Sequence, residues 1–483
     1  MQIVALALLV HGVRKASPAR AALQGWIFGT VWLTSSLWWV FISMHTYGGM
    51  PTGVAALATA SLGAGLATYY AVAAASWAWA RSRIHMPSLA FASLWLLAEL
   101  ARGTLLTGFP WAAGGYAHTS GPLKYWAPWI GVYGIAMLSA WVAAALARAW
   151  ELGFSQRALA VRALLSPLVV LLVGTGLPQD FTDGSGRLSV TLLQPNIAQQ
   201  EKFTKAGVER VLGWHLEALM KSRGALVVTP ESSIPVPASE LPPAIQRGLF
   251  APLAAGGRAA LLGVFIGDTR VGFSNGLVGL SDRNGLVDPR AYRYAKRHLL
   301  PFGEYTPPGF EWLIAMMDIP LAQQVPGKTT AILDVANQRA RPLICYEDLF
   351  GEDFVDSVVG EQAATVLVNA SNLAWFGRWR PKEFEFSQAQ HQHLEIGRMR
   401  ALEFQRPFVR AGNSGITAAI DHRGNLVQML APSTEGVLET AVEGREGDTP
   451  YARWLRLFGL WPLFVASTYV LTVGYLVRHT KRS

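Results

Sequence analysis

Three stretches of this chain, residues 21–44, 53–80 and 125–147, contain no charged side chain. A helix needs ~20 mostly apolar residues to cross a hydrocarbon layer ~30 Å thick, and each stretch is long enough. Residues 84–106 qualify apart from Glu99 and Arg102. Residues 163–178 make a shorter span, and 457–477 a clean one near the C-terminus. The apolar residues 1–10 would rise only about 15 Å as a helix, half the required length. They read as a partial helix or the remnant of a longer hairpin. No basic segment precedes them and no clear cleavage site follows, so a signal peptide is not expected. Six spans result.

The charge distribution agrees. Residues 1–178 carry 12 charged side chains, two of them acids (Glu99 and Glu151), and the other 61 of the 73 lie beyond. A chain that is 51% hydrophobic with 18 Trp is not disordered, and one cysteine builds no disulfide scaffold. The net charge of +9 reads as membrane topology, not nucleic-acid binding. Arg14, Lys15, Arg20, Arg81, Arg83, Arg148, Arg157, Arg162, Arg478, Lys481 and Arg482 fall on one set of loops. The alternate loops, His45–Thr52 and Thr107–Lys124, contain only Lys124. By the positive-inside rule the basic loops are cytoplasmic, which puts 179–456 outside. In a Gram-negative host that side is the periplasm.

Between 188 and 440 short β-rich runs alternate with turns and helical patterns. Expected strands are Leu188–Leu193, Ala225–Val228, Ala259–Phe265, Asn275–Leu280, Arg341–Cys345, Thr365–Asn369 and Gly415–Ile420. Helical patterns fit Lys205–Lys221 and Gln392–Glu403. Such alternation over ~250 residues indicates one α/β domain. The expected organisation is a helical membrane domain at 1–178, an extracytoplasmic α/β domain at 179–450, a last transmembrane helix at 455–478 and a cytoplasmic tail at 479–483.

Cys345 lies where a buried strand gives way to polar residues, in Cys-Tyr-Glu-Asp. An inert buried thiol is the plain alternative. Two other segments weigh against it. Glu231 directly follows an apolar strand, in Pro-Glu-Ser-Ser-Ile-Pro. Lys296 and Glu304 share Lys-Arg-His-Leu-Leu-Pro-Phe-Gly-Glu, which holds too many turn residues for a surface helix. A thiol needs a base, and an acyl-transfer intermediate needs positive charge beside its oxyanion. Glu, Lys and Cys supply those roles.

In that order, these three segments resemble the nitrilase superfamily with its Glu-Lys-Cys triad. More narrowly, the chain resembles the apolipoprotein N-acyltransferase family. Further matches are Tyr47-Gly48-Gly49, Glu99 with Arg102-Gly103, Gly108-Phe109-Pro110-Trp111, Gly121-Pro122-Leu123, Trp375-Phe376-Gly377, Arg398–Glu403, Arg406-Pro407 and Asn413-Ser414-Gly415. The resemblance covers roughly residues 21 to 478. It implies a multi-span α-helical membrane domain plus an α/β nitrilase-like αββα sandwich.

The resemblance also implies roles. Glu231 would be the general base, Lys296 the oxyanion stabiliser and Cys345 the nucleophile. Glu304 and Glu347 would orient the lysine and support acid–base work, and Tyr346 would shape the pocket. The implied reaction is ping-pong, without metal or other cofactor. A phospholipid, usually phosphatidylethanolamine, gives its sn-1 acyl chain to the cysteine. The thioester passes it to the α-amine of the diacylglyceryl-cysteine at a lipoprotein N-terminus. The setting is the bacterial inner membrane, with membrane lipids and no nucleic acid as partners. Phe109, Trp111, Tyr116, Phe203 and Trp375 are candidate lipid contacts, and the outer loop holding the first three would suit a mobile wall.

Some positions depart from the family pattern. Phe203 stands where Trp is usual, Leu373 where Asp is expected, and Arg378–Gln390 is longer and more basic. Two alternatives follow. One is a divergent nitrilase-like membrane paralogue, of the conjugal-transfer type or an amidase. The other is a transporter with an extracytoplasmic domain, against which stands the scarcity of polar residues in the spans. His391 and His393, at i, i+2, make a poor metal site. Glu99 and Arg102, at i, i+3, can pair within the membrane.

Overall fold

The computed structural model describes residues 1–480 apart from 254–256, 269, 271, 282–283, 316–322, 330–331 and 378–386. Lys481, Arg482 and the first part of the long 378–390 stretch therefore lie outside the described residues. The chain separates into two compact units. One comprises Met1–Trp38, Ala56–Phe181 and Thr449–Ser483; the other comprises Trp39–Ala55 and Thr182–Asp448.

The first unit is helical. Helices Thr52–Ala80, Pro87–Thr107, Pro122–Leu152 and Arg157–Gly176 are each long and apolar enough to cross a membrane. Pro18–Ser36 with Trp39–Tyr47, the latter grouped with the second unit, and Pro450–Phe458 with Trp461–His479, are bent pairs that bring the number to six if each is one span. Gln2–Val13 is a further, shorter apolar helix. At 12 residues it rises about 18 Å. Pro18 occupies the first turn of its helix, where its missing N–H is harmless, and Ser17 Oγ accepts from the Arg20 amide.

Small residues set the helix spacing. A Cβ at Gly25 would come within 2.7 Å of Ala74 Cβ, and one at Gly29 within 2.9 Å of Ala67 Cβ. In lipid, where apolar side chains gain little by leaving their surroundings, this close backbone packing holds helices together. The Glu99–Arg102 pair is real and buried: Arg102 Nη2 donates to Glu99 Oε2 at 2.9 Å. Tyr70 donates its hydroxyl to Glu99 Oε1 and accepts from Arg102 Nε, both at 3.0 Å. Arg102 Nη1 also donates to the carbonyls of Phe109 and Trp111. The loop after this helix is therefore tied down, with Trp111 and Tyr116 buried in the unit.

The second unit holds thirteen strands among the described residues. They are β1 Asp183–Gln194, β2 Leu226–Val228, β3 Ile234–Pro237, β4 Ala259–Asp268, β5 Gly272–Ser281, β6 Tyr292–Ala295, β7 Leu333–Val335, β8 Gln338–Ile344, β9 Val366–Ser371, β10 Phe408–Gly412, β11 Ala418–Ile420, β12 Leu426–Met429 and β13 Gly436–Glu446. One sheet runs β13-β1-β2-β4-β5-β6, with β3 paired to β4; the other runs β12-β11-β10-β9-β8-β7. Each has a parallel centre, β1-β2-β4 and β8-β9-β10, flanked by antiparallel strands.

Helix Lys205–Lys221 matches its expected bounds. Its Leu212, Ala218 and Leu219 join Leu193, Val227, Leu262 and Val278 in one core over the first sheet. Helix Ala389–Phe404 packs on β10 and β11 of the second. Central strands are buried on both faces, as a helix–sheet–sheet–helix stack requires. Seven runs expected as strands overlap observed ones. Short or edge strands such as β3, β6, β7 and β12 carried too few alternating residues to be seen beforehand.

Candidate active site

Glu231, Lys296 and Cys345 each sit at or just past a strand end of the α/β unit, and Glu304 lies in the turn-rich segment after Lys296. After β2, Thr229 and Pro230 turn the chain to Glu231. The Thr229 amide donates to Leu261 O at 3.0 Å, and its hydroxyl accepts from Gly263 N at 2.9 Å. A Cβ on Gly263 would lie 2.1 Å from Pro230 O, so only glycine lets β4 come this close to the turn. Past β6, the Lys296 amide donates to Asn275 O at 2.8 Å, and its carbonyl accepts from Gly327 N at 2.7 Å. Cys345 follows β8 and opens the 3₁₀ turn Cys345–Leu349 with φ of +48°. Left-handed backbone at a residue with a side chain is strained, and a sharp strand-to-helix turn projects the thiol away from the sheet.

Glu231, Lys296, Glu304 and Cys345 converge. Lys296 Nζ lies 2.8 Å from Glu304 Oε1 and 3.3 Å from Glu231 Oε1, with the lysine 1% and the thiol residue 6% exposed. Burial by itself would lower the lysine, but the Glu231 and Glu304 carboxylates outweigh it and hold the ammonium well above the usual lysine range. Burial pushes the Cys345 thiol up, the Glu231 charge adds to this, and Lys296 opposes it. The resting pair is thus a neutral thiol beside a fixed cation. Such a thiol needs a base to react.

Glu347 stands apart from the lysine. Its Oε1 accepts from Tyr294 Oη and the Arg297 amide, both at 2.7 Å, and its Oε2 accepts from Tyr294 Oη at 2.8 Å and the Ile344 amide at 2.7 Å. This carboxylate clips the end of β6 to the end of β8, and so fixes the backbone that carries Lys296 and Cys345. Burial raises it, while nearby Arg341 and these donors pull it back. Tyr346 is buried with its ring edge-on to His298 and Phe350.

Three contributors were not anticipated. Asn275 Nδ2 donates to Glu231 Oε1 at 2.6 Å and Glu304 Oε1 at 3.0 Å, bridging the two carboxylates that grip the lysine. Lys202 is buried with Nζ 3.2 Å from Glu231 O, and burial pulls it down to about 8 against the opposing Glu231 charge. The third is the group around the Cys345 carbonyl, which accepts from Asn369 Nδ2 at 3.0 Å and lies 3.3 Å from His393 Nε2. His393 also meets Asp348, which pairs with buried Arg410 at 2.5 Å. The local pattern marked only His393, and that as a poor metal site; the role of each residue arises across two or more elements.

Of the candidate lipid contacts, Phe203 is 37% exposed beside Lys202, and Trp375 meets Tyr47 edge-on at 6.0 Å. Phe109, Trp111 and Tyr116 belong to the helical unit. Leu373 is buried at a place where Gly415 approaches it. Among the described residues no group of three or more His, Cys, Asp or Glu side chains is arranged to hold a metal.

Comparison with known proteins places this geometry. Residues 1–145 match the apolipoprotein N-acyltransferase N-terminal domain, and residues 189–451 match the carbon-nitrogen hydrolase family. An apolipoprotein N-acyltransferase from Verminephrobacter eiseniae is 44% identical over 95% of this chain and 88% of its own length. One from Ralstonia nicotianae is 40% identical over 94% and 85%, and one from Nitrosomonas europaea 36% identical over 99% and 93%. A helical membrane portion, a carbon-nitrogen hydrolase domain and full-length relatives together support one conclusion: the chain is an acyltransferase that belongs to the apolipoprotein N-acyltransferase family.

Proposed function

We propose that the protein moves a fatty acyl chain from a phospholipid, with phosphatidylethanolamine as the usual donor, to the α-amine of an N-terminal diacylglyceryl-cysteine on a lipoprotein. The observation that carries this reading is the Lys296 ammonium, fixed by two carboxylates and acting electrostatically on the Cys345 thiol. Glu231 takes the Sγ proton as sulfur attacks the sn-1 ester carbonyl, and Lys296 stabilises the oxyanion. Collapse breaks the ester C–O bond, and the lysophospholipid alkoxide takes the proton back from Glu231. In the second half the acceptor amine attacks the thioester carbonyl. Glu231 takes the amine proton and returns it to the departing thiolate, so the enzyme ends as it began. Glu304, Glu347 and Tyr346 position these groups, and Phe203 and Trp375 contact lipid; Trp111 and Tyr116, buried in the helical unit, shape the tied-down loop that carries Phe109 and do not themselves meet lipid.

The family resemblance favours this over a conjugal-transfer paralogue, an amidase or a transporter. The positive-inside count supports an inner-membrane protein with 179–450 on the outer side. The grouping of Trp39–Ala55, which includes the loop His45–Thr52, with the α/β unit supports it further: just before that loop, Trp39 Nε1 donates to Gln392 Oε1 at 3.1 Å, and the Trp39 ring lies tilted against Phe376 with centroids 4.4 Å apart. Reconstitution of the full chain with phosphatidylethanolamine and a diacylglyceryl-cysteine peptide tests the reading. One acyl mass should appear on the peptide amine. A peptide left unmodified while the phospholipid is hydrolysed would make the protein a lipase instead.

A further inference from the structure

A cleft of about 160 Å³ opens in the helical unit, lined by residues of four helices. Helix Gln2–Val13 and the residue after it contribute His11 and Arg14. Arg81 follows Thr52–Ala80, and Arg148 and Glu151 come from Ala127–Leu152. Three guanidiniums thus face one cleft that, among the described residues, holds one carboxylate. Arg81 spends two donors on the carbonyls of Val13 and Ala16, and Arg14 one on His11 O. Arg148 pairs with Glu151 at 2.6 Å, both half-exposed. The Nε of Arg14 and the Nδ1 of His11 are buried with no hydrogen-bond partner. The Arg14 Nε–H is an obligate donor, and buried donors normally find an acceptor, so its lack of one beside surplus positive charge favours an anionic acceptor in the cleft.

We propose that this cleft binds a phosphate-bearing anion, and that its occupant is the headgroup of an anionic phospholipid in the inner leaflet. Planar guanidinium forks match phosphate oxygens bidentately, and basic clefts between helices on the cytoplasmic side suit such headgroups. The surroundings favour lipid over free phosphate. Leu8, Trp79, Leu146 and Trp150 of the same helices are exposed and apolar, a surface along which acyl tails can lie. The side assigned rests on the positive-inside orientation and is independent of the chemistry at Cys345.

Native mass spectrometry of the purified full chain, offered phosphatidylglycerol and phosphatidylethanolamine at equal concentration, tests this. Wild type should retain one phosphatidylglycerol with a preference of about tenfold, the scale of one charge-assisted contact. The R14Q/R148Q double variant should lose the preference, with acyl-enzyme formation at Cys345 unchanged. Because Arg148 is exposed, R148Q alone should fold normally and show a reduced preference, which separates a lost anion from a lost fold. Equal retention of both lipids by wild type, or undiminished preference in the double variant, would overturn the site. Inorganic phosphate that displaces phosphatidylglycerol and stabilises only wild type would keep the anion site but overturn the lipid as its occupant.

Discussion

Lys296 has two carboxylates within 3.3 Å, so its charge is the hinge of the site. Replacing it by Met leaves Glu231 and Glu304 facing each other and removes the oxyanion partner. Acyl-enzyme formation should fall by ~10²–10³. Glu231→Gln keeps the shape but removes the proton acceptor, and the loss should be ~10²–10⁴. Stopped-flow or quenched acylation assays on folded, membrane-inserted protein check both, and near-wild-type rates in either would remove that residue from its role. The thiol adds a pH test. Burial raises Cys345, so less thiolate is present at neutral pH than in an ordinary cysteine, and more forms as pH rises through the elevated value. Alkylation of the resting enzyme by a small haloamide should therefore be slow at pH 7 and keep climbing above pH ~8.5. A plateau already reached below that pH would mean a preformed thiolate–lysine pair.

At the scale of elements, the parts depend on clips that no single segment reveals. Glu347 binds the Arg297 and Ile344 amides and Tyr294, which joins β6 to β8. Glu347→Gln turns an amide N–H₂ toward donors. Each buried donor left unmet costs ~1–3 kcal/mol, so both thermal stability and acylation rate should drop while Cys345 stays alkylatable. In the helical unit, Arg102→Met strands Glu99 among apolar helices, which costs ~3–5 kcal/mol for a broken buried pair. Adding Glu99→Gln should recover much of it, as thermal unfolding in detergent would measure; no recovery would mean the contacts to Phe109 and Trp111 dominate. The pairing was legible from i, i+3 spacing, and Glu231 and Cys345 from their places at strand ends, whereas Lys296 stood out only as part of a turn-rich segment and joined them through the family resemblance. The site roles of Asn275, Lys202 and His393 were not legible. Their neighbours lie 20 or more positions away, and sequence periodicity reports only the face a residue takes within its own element.

For the whole molecule, the long apolar runs agree with the membrane class, because ~20 apolar residues match the hydrocarbon thickness; four helices meet that length among the described residues, and the expected six are reached only if each of the two bent pairs is one span. Sidedness rests on loop charge, and an alkaline phosphatase fusion after Asp268 should be active; an inactive fusion that fluoresces as a cytoplasmic reporter would reverse the orientation. The central claim is a covalent one, and it is best tested on the intact chain. After incubation with phosphatidylethanolamine and no acceptor, intact-protein mass spectrometry should show one added acyl group that hydroxylamine removes and that Cys345→Ala never acquires. Acylation that persists in Cys345→Ala would contradict the account.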